Sequence, residues 1–224
     1  MKISLISVLV AVVAVAGCSS APPTIQEGPN AEVSFDGLHM VDNSAFQNAW
    51  ADPDADFARY TEIMPGGAFF EFRAAKKTGS SYVYNSSATE FHISDANKER
   101  LKVEASEIFQ EELAKSTRFT MTDSPGADVL IIRGGLHDIM SRVPPQSAGR
   151  NDVYLSSVGE ATLILEVVDS MSNEVIFRAV ERRSAESTTG GMRANSVTTW
   201  SEVRRMLRRW ATTLTRGLDS IPTE

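Results

Sequence analysis

Two stretches of alternating residues joined by a turn constrain this chain most. Gly159, Ala161, Leu163, Leu165 and Val167 occupy one parity, and Glu160, Thr162, Ile164 and Glu166 the other. After the turn residues Asp169–Asn173 the alternation resumes, with Val175, Phe177 and Ala179 opposed to Ile176, Arg178, Val180 and Arg182. Successive strand side chains point to opposite faces, so the pattern predicts a β-hairpin over Val158–Arg183 with one apolar and one charged face. Glu166 and Arg178 are expected as cross-strand partners. A sheet with one apolar face must bury it against a second layer.

Two segments can supply that layer. From about Thr199, the residues Trp200, Val203, Leu207, Trp210 and Leu214 recur at alternating spacings of three and four, which lines them along one helix stripe. Thr199 with Glu202 reads as a capping box and Gly217 as the stop. Arg205, Arg209 and Arg216 fall roughly opposite the stripe, and the stripe's composition predicts core packing for Trp200 and Trp210 rather than a membrane-interface belt. The second helix is predicted over Ser94–Leu113, with Ser94 as cap, Asp95 at the positive end, and Leu101, Ala105, Ile108 and Phe109 on one face. Glu112 falls within that face and is assigned to an exposed last turn.

Short strands are expected at Tyr60–Met64 and Ala68–Arg73 around Pro65-Gly66-Gly67, and at Arg118–Asp123. A strand buried on both faces is expected over Asp128–Ile139, where Val129-Leu130-Ile131-Ile132 is continuously apolar and Gly134-Gly135 signals a bulge or a close backbone approach. Phe35–Ala51 reads as an irregular packed segment. Lys76–Ser87, Ser141–Asn151 and Ser184–Ser196 read as loops. The fold class expected is α+β: a mostly antiparallel or mixed sheet of about four to six strands with two main helices on one face.

The amino terminus carries an address. Met1-Lys2 is followed by an apolar run from Ile3 to Val15, shorter than the roughly 20 residues a membrane-spanning helix needs. Ala16-Gly17 precede Cys18, the chain's only cysteine, and a polar, proline-bearing stretch follows. This arrangement resembles the lipobox of bacterial lipoproteins. The competing reading is an ordinary signal-peptidase site with Cys18 as a stray thiol. The resemblance implies a diacylglycerol thioether and an N-acyl chain on Cys18, enough acyl chains for stable anchoring. It also implies that Ser19, rather than Asp, sorts the product to the outer membrane of a Gram-negative cell, facing the periplasm. The organisation expected is a signal peptide over residues 1–17, an extended tether over 18–34, one globular domain over 35–219 and a tail over 220–224.

The net charge of −7 argues against a nucleic-acid partner, which needs a basic surface. The charge is uneven: 17 acids face 9 bases between Ser19 and Ala127, against 12 of each from Asp128 onward. Within the later part, Ser124-Pro125-Gly126-Ala127-Asp128-Val129-Leu130-Ile131-Ile132-Arg133 resembles a Pro-Gly-x-Asp-Val-Leu-x-hydrophobic-x-Arg segment, and the Val158–Arg183 hairpin resembles that of the same family. The family is the bacterial lipoprotein group catalogued as domain of unknown function 3313. The likeness spans roughly Phe35 to Gly217 and is specific from about Pro125 to Arg183. It implies a secreted, lipid-anchored domain and supplies no catalytic residues.

Reactive constellations are sparse. His39, His92 and His137 lack metal-ligand spacing, and no metal or other cofactor is expected beyond the lipid on Cys18. His137-Asp138 would point to opposite faces of its strand. With Cys18 acylated no thiol remains, and no Ser or Thr sits in a nucleophile motif. The sharpest cluster is Arg204, Arg205, Arg208 and Arg209, read either as a cationic face for an anionic lipid or protein or as a solvated helix face. The function expected is a non-enzymatic, envelope-accessory binding domain. The alternatives are a lipid or small-ligand carrier serving envelope transport and, third, a hydrolase.

Overall fold

The structure, a computed structural model, describes residues 21–74, 90–144, 154–187 and 191–221. Its centre is the expected hairpin, Ser157–Asp169 (β8) with Val175–Glu186 (β9). Ala161, Leu163, Leu165 and Val167 are buried on one face, and Glu166 pairs with Arg178 across the strands. Arg178 donates from Nε at 3.1 Å and from Nη2 at 2.9 Å to Glu166 Oε1.

The hairpin lies inside a mixed sheet of eight strands, more than the four to six expected. In chain order the others are Thr24–Ile25 (β1), His39–Asp42 (β2), Asn48–Ala51 (β3), Glu62–Phe72 (β4), Thr120–Met121 (β5) and Val129–Ser141 (β6). The spatial order is β1-β2-β3-β9-β8-β6-β4-β5. Tyr154–Leu155 (β7) and Met192–Arg193 (β10) form a separate small pair. Two differences raise the count and one lowers it. The supposed irregular stretch 35–51 contains β2 and β3. The supposed tether is docked from Thr24, where β1 pairs with β2. The two short strands around Pro65-Gly66-Gly67 are one strand with a register shift between Pro65 and Ala68.

Pairing is antiparallel from β1 to β6, whereas β4 runs parallel to both β6 and β5. Parallel neighbours need a long crossover. It contains the first helix, Asp95–Leu113 (α1), capped by Ser94, whose hydroxyl accepts from Asn97 N. The second helix is Ser196–Asp219 (α2). It starts earlier than expected, because Asn195 rather than Thr199 makes the reciprocal cap, with Thr198 in place of Glu202. It also runs through Gly217, whose backbone keeps the helical sign of φ, and ends at Ser220.

Both helices cover the apolar face of the sheet. Trp200, Leu207, Trp210 and Leu214 join Leu101, Ala105, Ile108 and the inward residues of β6 and β8 in one core. Glu112 is not exposed as expected: it is 7% accessible, held by Lys115 at 2.6 Å and by Thr212 at 3.3 Å. The carboxyl ends of the helices are tied together through Asp219, which accepts from Ser116 Oγ at 2.5 Å and Thr117 N at 3.2 Å.

Candidate functional site

A concave feature of the domain lies where α1 crosses the bulged part of β4. A cleft of about 110 Å³ is lined there by Pro65, Gly66, Gly67, Ala68 and Phe70 of β4, by Ala105 and Phe109 of α1, and by the glycine pair of β6. Glycine is required at that pair because the chains approach closely. A Cβ on Gly134 would stand 2.2 Å from Ile164 O, and one on Gly135 would stand 2.1 Å from Phe69 O. The close approach anticipated from Gly134-Gly135 is therefore present.

Beside the cleft, β4 is an open edge among the described residues. β5 pairs only with Glu62 and Ile63, so Met64–Phe72 has no strand on its outer side among the described residues. The edge is apolar: Phe70 and Phe72 pack toward the helices, while Phe69 covers Gly135 on the other face and is 43% exposed. Natural edges are usually blunted by charge, bulges or a cover. Over Met64–Phe72 the devices present are Pro65, the bulge at Pro65–Ala68 and one acid, Glu71.

The open face of the sheet is charged. Arg73 bridges Glu90 and Asp138, Arg182 bridges Asp138 and Glu160, and Arg142 also meets Glu160. A second chain joins Arg133, Glu166, Arg178 and Asp36. The Arg73 guanidinium, assisted by Arg182 and against the cost of burial, holds the Asp138 carboxyl down at about 2. Arg178, aided by Ser34, does the same for Asp36, also at about 2. Burial pushes the Glu160 carboxyl up, but Arg142 and Arg182 outweigh it and the net direction is down.

Asp138 corrects the expectation that His137 and Asp138 point apart. Asp138 sits at φ +55° in a bulge of β6, and the strand alternation fails there. Both side chains emerge on the open face, but toward different partners: His137 Nδ1 lies 2.6 Å from Glu71, and Asp138 lies on the two arginines. His39 is placed on the Gln26 carbonyl at 2.7 Å, a link between β2 and the segment after β1. Among the described residues no three His, Cys, Asp or Glu side chains form a metal-binding group.

The structure splits the arginine cluster. Arg204 reaches across to α1 and donates to Glu104 at 2.6 and 2.7 Å. Arg208 Nε lies 4.0 Å from Glu112. Arg205 turns along its own helix to Glu202 and the Glu186 carbonyl. Arg209 is exposed with no ion-pair partner among the described residues. Trp200 and Trp210 are in the core, as their stripe predicts. Cys18 and Ser19 lie outside the described residues.

Sequence reasoning missed two groups. One is the buried Asp169, which accepts from Tyr60 Oη at 2.7 Å and from Met171 N and Ser172 N, each at 2.8 Å, and pairs with Arg59. Burial opposes its charge, but these donors hold the carboxyl far below its usual range. The other is the β4 edge, concealed because Pro65-Gly66-Gly67 reads as the end of a strand rather than as a bulge within one.

The family model described as a protein of unknown function, DUF3313, matches residues 33–214. No curated protein matches the chain. Among solved structures, a PelC dodecamer from Paraburkholderia phytofirmans is 11% identical, with 75% of this chain and 94% of that chain covered and a TM-score of 0.36. Protein XCC0632 from Xanthomonas campestris is 9% identical, covering 70% and 82%, with a TM-score of 0.37. The hypothetical protein CT253 from Chlamydia trachomatis is 11% identical, covering 71% and 98%, also with a TM-score of 0.37.

Proposed function

The chain belongs to the DUF3313 family of proteins of unknown function, and we propose that it is a lipid-anchored, non-enzymatic binding module of the Gram-negative envelope that receives a partner's extended chain on the open edge of β4. The observation that carries this reading is the juxtaposition of an unpaired, apolar strand edge with a small apolar cleft. In strand addition, main-chain hydrogen bonds supply affinity, and pockets for alternate side chains supply specificity. The β4 edge offers the first and the α1–β4 cleft the second.

The volume of the cleft weighs against the carrier alternative. Pockets for whole small ligands run from about 300 to 1,000 Å³, whereas about 110 Å³ suits a single side chain or a short acyl segment. Native mass spectrometry of protein taken from its own membrane tests that alternative, since a stoichiometric copurifying lipid would favour it. The anchor in this proposal is Cys18, with Ser19 directing the product to the outer membrane. From Cys18 to Thr24 the chain has six residues, so β1 is held within about 20 Å of the lipid surface.

A photo-crosslinking residue at Phe69, introduced in the native envelope, tests the docking edge. The control site is Val103, which is exposed on α1. A discrete covalent product from Phe69 and none from Val103 is expected. Absence of a product at Phe69 would remove the reading.

A further inference from the structure

We propose that the end of the domain formed by β7, β10 and the first turn of α2 rests on the bilayer, with Tyr154 and Val197 entering its interfacial layer. The proposal rests on the lipid anchor at Cys18, and adds the face that the anchored domain turns to the membrane. Strand register fixes where the tether leaves the sheet. Thr24 stands opposite Asp42, and Asn43 donates to the Pro22 carbonyl at 3.4 Å. The pairs Met40–Trp50 and Asn48–Val180 carry that level across to β9, which places Pro22 near the level of Arg182. Three antiparallel pairings separate β1 from β9, so the chain before β1 points the way β9 runs. β9 continues from Arg182 for four residues to Glu186, about 13 Å. Four residues also separate Pro22 from Cys18, and these reach at most about 14 Å.

The domain projects further in that direction than β9 does. Arg205 donates to the Glu186 carbonyl, and α2 begins nine residues earlier, about 13 Å along the helix. The other end of α2 lies at the far end of the hairpin: Arg118 joins the Ile221 carbonyl to that of Phe57, near Tyr60 and Asp169. The first turn of α2 therefore points past Glu186, on the side to which the tether runs. A tether shorter than this projection cannot hold an upright domain clear of the lipid. The residues at this end suit an interface. Val197 is 76% exposed and Tyr154 68%. The Thr198 hydroxyl donates to the Arg193 carbonyl, and Arg193 pairs with Tyr154, so both exposed side chains belong to one corner. Tyrosine is favoured where an apolar phase meets water. The first turn of α2 carries no acidic residue, and its positive pole faces the lipid phosphates. In this pose β4, which runs the same way as β9, stands upright from the bilayer with its edge beside the lipid rather than under it.

Fluorescence quenching tests the pose with the full, acylated chain in vesicles of phosphatidylethanolamine and phosphatidylglycerol. Acylation blocks Cys18, so a single introduced cysteine carries the fluorophore. Val197→Cys reports the proposed contact. Met171→Cys is the control, because Met171 is also 68% exposed but lies in the turn after Asp169, about 40 Å away along the hairpin from Ser157. Both side chains are exposed, so neither change removes a core contact. The Val197 label is expected to lose most of its emission to a nitroxide carried on the lipid acyl chains, and to be shielded from iodide in the water. The Met171 label is expected to lose none to the nitroxide and to be quenched by iodide. A Val197 label that the nitroxide fails to quench, or equal nitroxide quenching at both positions, would overturn the proposal. Mass spectrometry of the same sample separates anchor from docking. An acylated chain with an unquenched Val197 label removes the docking and leaves the anchor; a chain without acyl groups removes both.

Discussion

Gly135 shows how much a single missing Cβ decides. The strands of β4 and β6 pack so closely there that an added methyl would stand 2.1 Å from a backbone oxygen and 2.7 Å from the Phe69 ring. The oxygen cannot move without shifting a strand. Gly135→Ala should therefore cost about 1–3 kcal/mol, the usual range for overpacking, measured as a lower urea midpoint. A destabilisation under about 0.5 kcal/mol, typical of an unconstrained surface site, would mean that the strands can part freely. The glycine pair was legible as a sign of close approach. Which atoms approach was not, because Phe69 and Ile164 lie 66 and 29 residues away in sequence from Gly135. Asp169 is a similar case. In sequence it is a turn residue, and only the return of Tyr60 and Arg59 from 109 and 110 residues away makes it a buried anchor.

At the level of elements, α2 reconciles an apolar stripe that was legible with an arginine face that was not. Periodicity places residues on a helix face, but it does not say what the neighbouring helix offers. Because α1 lies alongside, Arg204 and Arg208 meet Glu104 and Glu112, whereas Arg209 stays free of ion pairs among the described residues. The two outermost arginines should consequently differ. Arg205→Glu removes the counter-charge of Glu202, which is only 8% exposed, and places a second carboxylate beside it, so it should cost about 1–3 kcal/mol, the range for burying an unpaired polar or charged group. Arg209→Glu should stay within about 0.5 kcal/mol of the parent, as surface substitutions do. Equal effects in thermal melts of the two variants would contradict the partition. The same reasoning explains Glu112: its apolar-face position looks like an error in the pattern until Lys115 and Thr212 are seen to hold it.

For the whole molecule, the ion-paired carboxylates predict how stability follows pH. Arg178 holds Asp36 at about 2, Arg73 and Arg182 hold Asp138 at about 2, and Asp169 is lowered further by its donors despite burial. Their folded values lie below the ordinary value of about 3.9. Their contribution is therefore present above pH 4 and is lost as pH falls toward 2. Urea midpoints should decline across that window, and Asp138→Asn should make the decline shallower; an unchanged slope would count against the Arg73–Asp138–Arg182 chain. A second prediction concerns address. Growth with a labelled fatty acid should label the wild-type protein and not Cys18→Ser, and a wild-type protein without label would dismiss the lipid anchor. By itself, the sequence determined the central hairpin, the helix stripes, the α+β class and the family, because strand and helix periods are local and each already says which face is buried. The tertiary structure alone decided that β4 joins β6 in parallel and has no strand beyond Met64–Phe72 among the described residues, that Asp138 turns onto the charged face, and that the arginines divide between partners. Those outcomes depend on segments tens of residues apart meeting in one sheet, and no local period records which segments meet.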